Sequence, residues 1–169
     1  MRLLDIWSRR DRLSASGEKV IEQIHFEIAE IDRLFAVYAD LLARVQQRQP
    51  DTVEIAAVAT VLHSFYNGLE NIFLSIAKSI DRSVPSGAQS HRDLLIQMTR
   101  KTAKRQAVIS SDSAKKLADY LGFRHFYRHS YSFLIEWSEL KRLVVPLDQV
   151  WAEFKHEFID FADSLTMDK

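Results

Sequence analysis

Between Glu18 and Val45 the apolar residues Val20, Ile21, Ile24, Ile28, Ile31, Phe35, Tyr38, Leu42 and Val45 recur at every third or fourth position. That spacing leaves little choice of fold. It draws one apolar stripe down a long amphipathic helix, whereas a strand, whose side chains alternate with period two, cannot gather these residues on one face. Pro50 ends the pattern. A second stripe, Ile55, Val58, Leu62, Phe65, Tyr66, Leu69, Phe73, Ile76 and Ile80, is equally regular and stops before Ser83-Val84-Pro85-Ser86-Gly87. Two long helices joined by a short loop are expected to form an antiparallel hairpin. With four glycines and three prolines in 169 residues, the chain has little turn chemistry for many short strands, and the expected class is all-α.

Further along, Ser90 is placed to cap a shorter helix carrying Leu94, Leu95 and Met98, and the polar run from Arg100 to Gln106 reads as helix end or loop. Ser111 or Asp112 then starts a helix through Ala114, Leu117, Ala118 and Leu121. Pro146 suits the first turn of a last helix with the stripe Leu147, Val150, Trp151, Phe154, Phe158 and Phe161. The expectation is one antiparallel bundle of about five to six helices. Residues 1–15 are read as an N-terminal arm and 16–169 as the helical domain.

The chain has no cysteine, which excludes disulfides, thiolate zinc sites and a catalytic thiol, and fits a reducing cytoplasm. Neither a secretory signal nor a run of about 18 apolar residues is present, so a soluble, cytoplasmic protein without membrane association is expected. Net charge is zero but uneven. From Arg92 to Arg128 nine basic residues stand against three acids, a balance of +6, while from Pro146 onward six acids stand against two lysines, a balance of −4. Such asymmetry is either a basic face that meets phosphates or two solvated faces that cancel in space.

A break in the pattern locates the candidate site. At ~100° per residue the stripe Ala114, Leu117, Ala118, Leu121 continues onto Arg124, His125, Arg128 and Ser132. Phe123, Phe126, Tyr127, Phe133, Leu134 and Trp137 fall on the opposite side. Either the helix bends near Gly122, or it stays straight and buries an aromatic face against another body such as a second subunit. Burying an unpaired arginine costs several kcal/mol, so the basic face is expected to open onto a cleft.

The segment Gly122-Phe123-Arg124-His125-Phe126-Tyr127-Arg128-His129-Ser130-Tyr131 resembles the HEPN signature: an arginine, a polar neighbour, three further residues and a histidine. The HepT-like subgroup adds a tyrosine two residues beyond the histidine. Arg124, His129 and Tyr131 occupy those places, and His125 stands where the subgroup usually has asparagine and the wider group also accepts histidine or aspartate. Tyr66-Asn67-Gly68-Leu69-Glu70-Asn71-Ile72 and His91-Arg92-Asp93-Leu94-Leu95 are similar to HepT-like segments, so the resemblance spans about Glu18 to Leu165.

This resemblance implies a HEPN-like fold and a metal-independent endoribonuclease toxin, neutralised by a minimal nucleotidyltransferase antitoxin, with transfer RNA as a candidate substrate. His129 is suited to take a proton from a ribose 2′-OH, since imidazole titrates near neutrality. Arg124 is suited to hold the phosphate with its planar donor fork. His125, or a second subunit's His129, would protonate the leaving oxygen. Arg124 and His129 lie about 140° apart around a straight helix, so a bend or a homodimer, with Phe123, Phe126 and Tyr127 as its contact, is expected to bring them together. Tyr131 becomes a candidate for adenylylation, whose added phosphate would compete with RNA beside Arg124 and Arg128.

Arg128, Arg100 and Lys104 are candidate phosphate contacts, and Asn67 and Glu70 candidate borders of the cleft. No cofactor is expected. Nor is a metal: His125 and His129 lack a third ligand, and the pairs Glu22/His25 and Glu153/His156 lie off the apolar stripes of their helices. A non-catalytic HEPN protein that binds a nucleotide or a nucleotidyltransferase is the alternative.

Overall fold

The computed structural model describes the backbone of residues 3–167 and the side chains of residues 15–166. Helix α1 (Leu3–Val37) and helix α2 (Ala39–Gln47) replace the single helix expected up to Val45. At their junction Tyr38 leaves helical geometry (φ −102°, ψ 13°). Flanking bonds from Tyr38 N to Leu34 O and from Leu42 N to Tyr38 O keep the ladder going, so the junction is a kink. Helix α1 crosses residue 15 without interruption, so the backbone of the expected arm is helical from Leu3 onward. The side chains of Trp7 and the rest of residues 1–14 lie outside the described residues.

Helix α3 (Thr52–Ile76) begins with a reciprocal cap: Asp51 accepts from Glu54 N, and the Glu54 side chain accepts from Asp51 N. It continues into a π-helical turn, Ala77–Asp81. Helix α4 (Ser90–Met98) is followed by a loop and by helix α5 (Ser111–His129), which Ser110 caps by accepting from Ser113 N. A 3-10 turn (Ser132–Leu134), helix α6 (Trp137–Val144) and helix α7 (Leu147–Met167) complete the chain. The described residues thus form seven α-helices and no strand, one helix more than the upper expectation. Helix α6 was hidden because Trp137 projects onto the aromatic side of an extended α5. In the fold it starts a separate helix, burying Trp137, Leu140, Leu143 and Val144.

Helix α3 is the centre of the bundle and packs against α1, α4, α5 and α6. Its Phe65, Tyr66 and Phe73 and the Phe154 and Phe158 of α7 are the largest fully buried side chains. Such aromatics supply the bulk of the hydrophobic stabilisation. Trp151 Nε1 of α7 donates to Asp32 of α1 at 2.7 Å. Gly68 permits close approach of α1 to α3: a Cβ there would stand 2.9 Å from Ile31 Cδ1. In the loop after α4, the buried Arg105 guanidinium donates to both oxygens of Asp81, each at 2.7 Å, and to the carbonyls of Gln97, Arg100 and Gln106. Among the described residues no helix is long and apolar enough to cross a membrane.

Candidate active site

Helix α5 does not break at Gly122; it runs to His129 and stops at Ser130, which adopts an extended conformation. Its rotation differs from the sequence expectation. Ser113, Leu117, Tyr120, Phe123 and Arg124 are buried, Tyr127 is half-buried, and Ala118, His125 and Arg128 face outward. Tyr120 and Phe123 offer far more apolar area than Ala114 and Ala118, so the bulky residues turn the helix onto the core. Two expectations change with that rotation. Phe123 is buried in its own bundle and is not free for a subunit contact, while Tyr127 is half-buried against that bundle and Phe126 is exposed.

Arg124 is only 8% exposed rather than opening onto a cleft. Burial is tolerated because the arginine is paired. Its Nη2 lies 3.0 Å from Glu70 Oε2, its Nε donates to Asn67 Oδ1 at 3.3 Å, and its Nη1 stands 3.5 Å from His91 Nε2. The other oxygen of the Glu70 carboxylate, Oε1, is 2.5 Å from His91 Nδ1. One buried carboxylate on α3 thus bridges an arginine from α5 and a histidine from the first turn of α4. This is the arrangement that makes a buried ion pair sustainable, since hydrogen bonds satisfy both ions.

On the far side of Arg124, Asn67 turns its amide nitrogen to His63 Nε2 at 3.1 Å. Because Asn67 Oδ1 accepts from Arg124, its amide group must donate, so His63 Nε2 is the acceptor and Nδ1 carries the proton. That Nδ1 is buried without a partner in the described structure. The His63 ring packs against Tyr127 at a centroid distance of 4.7 Å, and Tyr127 Oη is 3.2 Å from Thr60 Oγ1. Burial, then the positive charges of Arg124 and Arg128, hold the His63 pKa below that of a free imidazole. His63 is therefore a neutral ring beside the arginine.

The other sequence-predicted residues lie elsewhere. His125 and His129 face outward with ring centroids 4.8 Å apart. Within one chain they do not converge on the Arg124 guanidinium. Tyr131 is 72% exposed and stacks on Phe133 at a centroid distance of 5.5 Å. Arg128 is exposed near His63. Arg100 and Lys104 lie in the loop beyond the far end of α4, which is itself about 10 Å of helix rise from His91. There they line a cavity of about 580 Å³ with Asp81, Asp93 and Gln97. They are not part of the Arg124 cluster.

The charge asymmetry is partly cancelled in space: Lys116 pairs with Glu153 of α7, and Arg105 with Asp81. No group of three or more His, Asp or Glu among the described residues is placed to hold a metal. Asn67 and Glu70 do reach Arg124. His91, quoted in the sequence only as part of a similar segment, is the residue whose place was missed. The one signal for it was indirect: a glutamate on an apolar helix edge requires cationic or hydrogen-bonding company.

No curated protein and no solved structure matches the chain. A family profile described as HepT-like protein matches residues 57–165. That stretch takes in α5, most of α3 and every residue of the Glu70, His91 and Arg124 cluster. Since the match covers well over half of the sequence, the chain belongs to the HepT-like family.

Proposed function

We propose that this protein is a metal-independent endoribonuclease toxin, the HEPN member of a pair whose antitoxin is a minimal nucleotidyltransferase. The observation that carries this reading is the seating of Arg124. A guanidinium has five N–H donors, and the described contacts of Arg124 engage three of them. The remaining two, held rigid by Glu70 and Asn67, suit a phosphodiester and the extra charge of its pentavalent state. Histidines supply the proton transfers. The 2′-oxygen loses its proton and attacks the adjacent phosphorus, the bond to the 5′-oxygen breaks, and that oxygen is protonated. A 2′,3′-cyclic phosphate and a 5′-hydroxyl result.

Because His125 and His129 face away from Arg124 in one chain, we assign their meeting to a homodimer. Exposed Phe126, Phe133 and Leu134, next to His129 in sequence, supply its apolar surface. Tyr131, in the same exposed stretch, is accessible for adenylylation by the partner enzyme, and transfer RNA is the substrate we favour.

One observation favours a second reading, a non-catalytic nucleotide- or nucleotidyltransferase-binding protein: most Arg124 donors are already met within the chain. Incubation with total RNA in EDTA distinguishes the two. Cleavage that leaves cyclic-phosphate ends, and that Arg124→Ala and His129→Ala both abolish, supports the ribonuclease. Absence of cleavage by unmodified protein, its mass verified, supports the binding protein.

A further inference from the structure

We infer that His91, oriented by Glu70, is the base that deprotonates the ribose 2′-OH beside Arg124 in the same chain. This role rests on the ribonuclease reading. Guanidinium nitrogens only donate, so the His91 Nε2 that faces Arg124 Nη1 at 3.5 Å presents its lone pair. Nδ1 must then carry the proton, which it donates to Glu70 Oε1 at 2.5 Å. This is the tautomer a general base requires: a carboxylate behind Nδ1–H, and in front an Nε2 lone pair that the 2′-OH would take over from Arg124 Nη1.

Placement agrees with the chemistry. The 2′-OH and the scissile phosphate are neighbours on one ribose, and the two atoms that would serve them, His91 Nε2 and Arg124 Nη1, are neighbours here. The His91 side chain is 44% exposed where that of Arg124 is 10% exposed, so a ribose can reach the imidazole while its phosphate meets the guanidinium. His129 lies five residues along α5 from Arg124, about 140° around the helix, and has no such relation to the phosphate within one chain. With the 2′-OH proton taken by His91 Nε2, the proton delivered to the 5′-oxygen falls to the exposed His125 and His129.

The test measures cleavage of a short fluorescent RNA in EDTA by wild type, His91→Gln and His91→Ala, alongside binding of the 2′-deoxy version of that RNA. Circular dichroism verifies folding, and His91→Gln retains a donor for Glu70. General-base loss lowers kcat by about 100-fold or more, with 2′-deoxy binding unchanged and added imidazole restoring cleavage by His91→Ala. Nitrogen-15 histidine spectra show His91 protonated at Nδ1 in the wild type, and this signature is lost in Glu70→Gln. Cleavage by His91→Gln and His91→Ala within about threefold of wild type overturns the assignment and leaves the ribonuclease intact. So does a loss explained wholly by weaker binding. A wild type that cleaves no RNA overturns the ribonuclease reading, and the role of His91 with it.

Discussion

Removing the Glu70 carboxylate strands Arg124 inside the bundle, and the structure sets how much that costs. Both side chains are about nine-tenths buried, and their charged atoms are 3.0 Å apart. Unit charges roughly 4 Å apart at an effective dielectric near 20 attract by ~4 kcal/mol. Breaking a buried pair from one side costs about 3–5 kcal/mol, because the surviving ion is left uncompensated. Arg124 keeps Asn67 and His91 as neighbours, so Glu70→Gln belongs at the low end, about 3 kcal/mol. For a chain of this size that lowers Tm by roughly 6–12 °C.

Arg124→Met costs less, about 2 kcal/mol, because the Glu70 carboxylate still accepts a hydrogen bond from His91 Nδ1. In the double variant no unpaired ion remains, so its total should be no larger than the Glu70→Gln value and the coupling about 2 kcal/mol. Urea unfolding followed at the helix signal gives all four corners of the cycle. Single effects that add to within ~0.5 kcal/mol would refute the pairing. The result also bears on the activity tests, since an Arg124 variant must be shown to be folded before its silence is read as chemistry.

Three further outcomes are expected. Because the folded pKa of His63 is held down by burial and by Arg124 and Arg128, the folded chain resists a proton that the unfolded chain accepts. Its contribution is complete above about pH 6.5 and is lost as pH falls below that value toward the folded pKa; the urea midpoint between pH 7.5 and 5.5 should therefore drop more for wild type than for His63→Gln. Gly68→Ala, whose Cβ would meet Ile31 Cδ1 at 2.9 Å, should lose about 1 kcal/mol net of the helix-propensity gain. Gly122→Ala, with nothing within 4 Å of its Cβ, should gain about 0.5–1 kcal/mol; chemical denaturation ranks the pair. Finally, if each site joins Arg124 of one protomer to His129 of its partner, mixing inactive Arg124→Ala with inactive His129→Ala rebuilds one intact site per heterodimer. Cleavage should return to about a quarter of wild type after random exchange, and a mixture that stays silent argues against the shared site.

Helix periodicity is a local property, and what depends on it was legible in the sequence. The stripes from Val20 and Ile55 gave the α1 and α3 partnership, and the stripe from Leu147 gave α7, because an apolar face repeated over many turns can be buried in only one way. The motif residues Arg124, His129 and Tyr131, and Asn67 and Glu70 on α3, were also marked out by residue type and resemblance. The rotation of α5 was not, because its sequence mixes alanines on one face with Tyr120 and Phe123 on another, and only the neighbouring helices decide which face is covered. The same packing brought His91 to the Glu70 carboxylate from 21 residues away and His63 to Asn67 beside Arg124. No spacing rule encodes such a meeting between α3, α4 and α5. Sequence alone determined that an arginine would break an apolar helix face; the tertiary structure decided that it would be buried, by supplying the carboxylate, amide and imidazole that satisfy its charge.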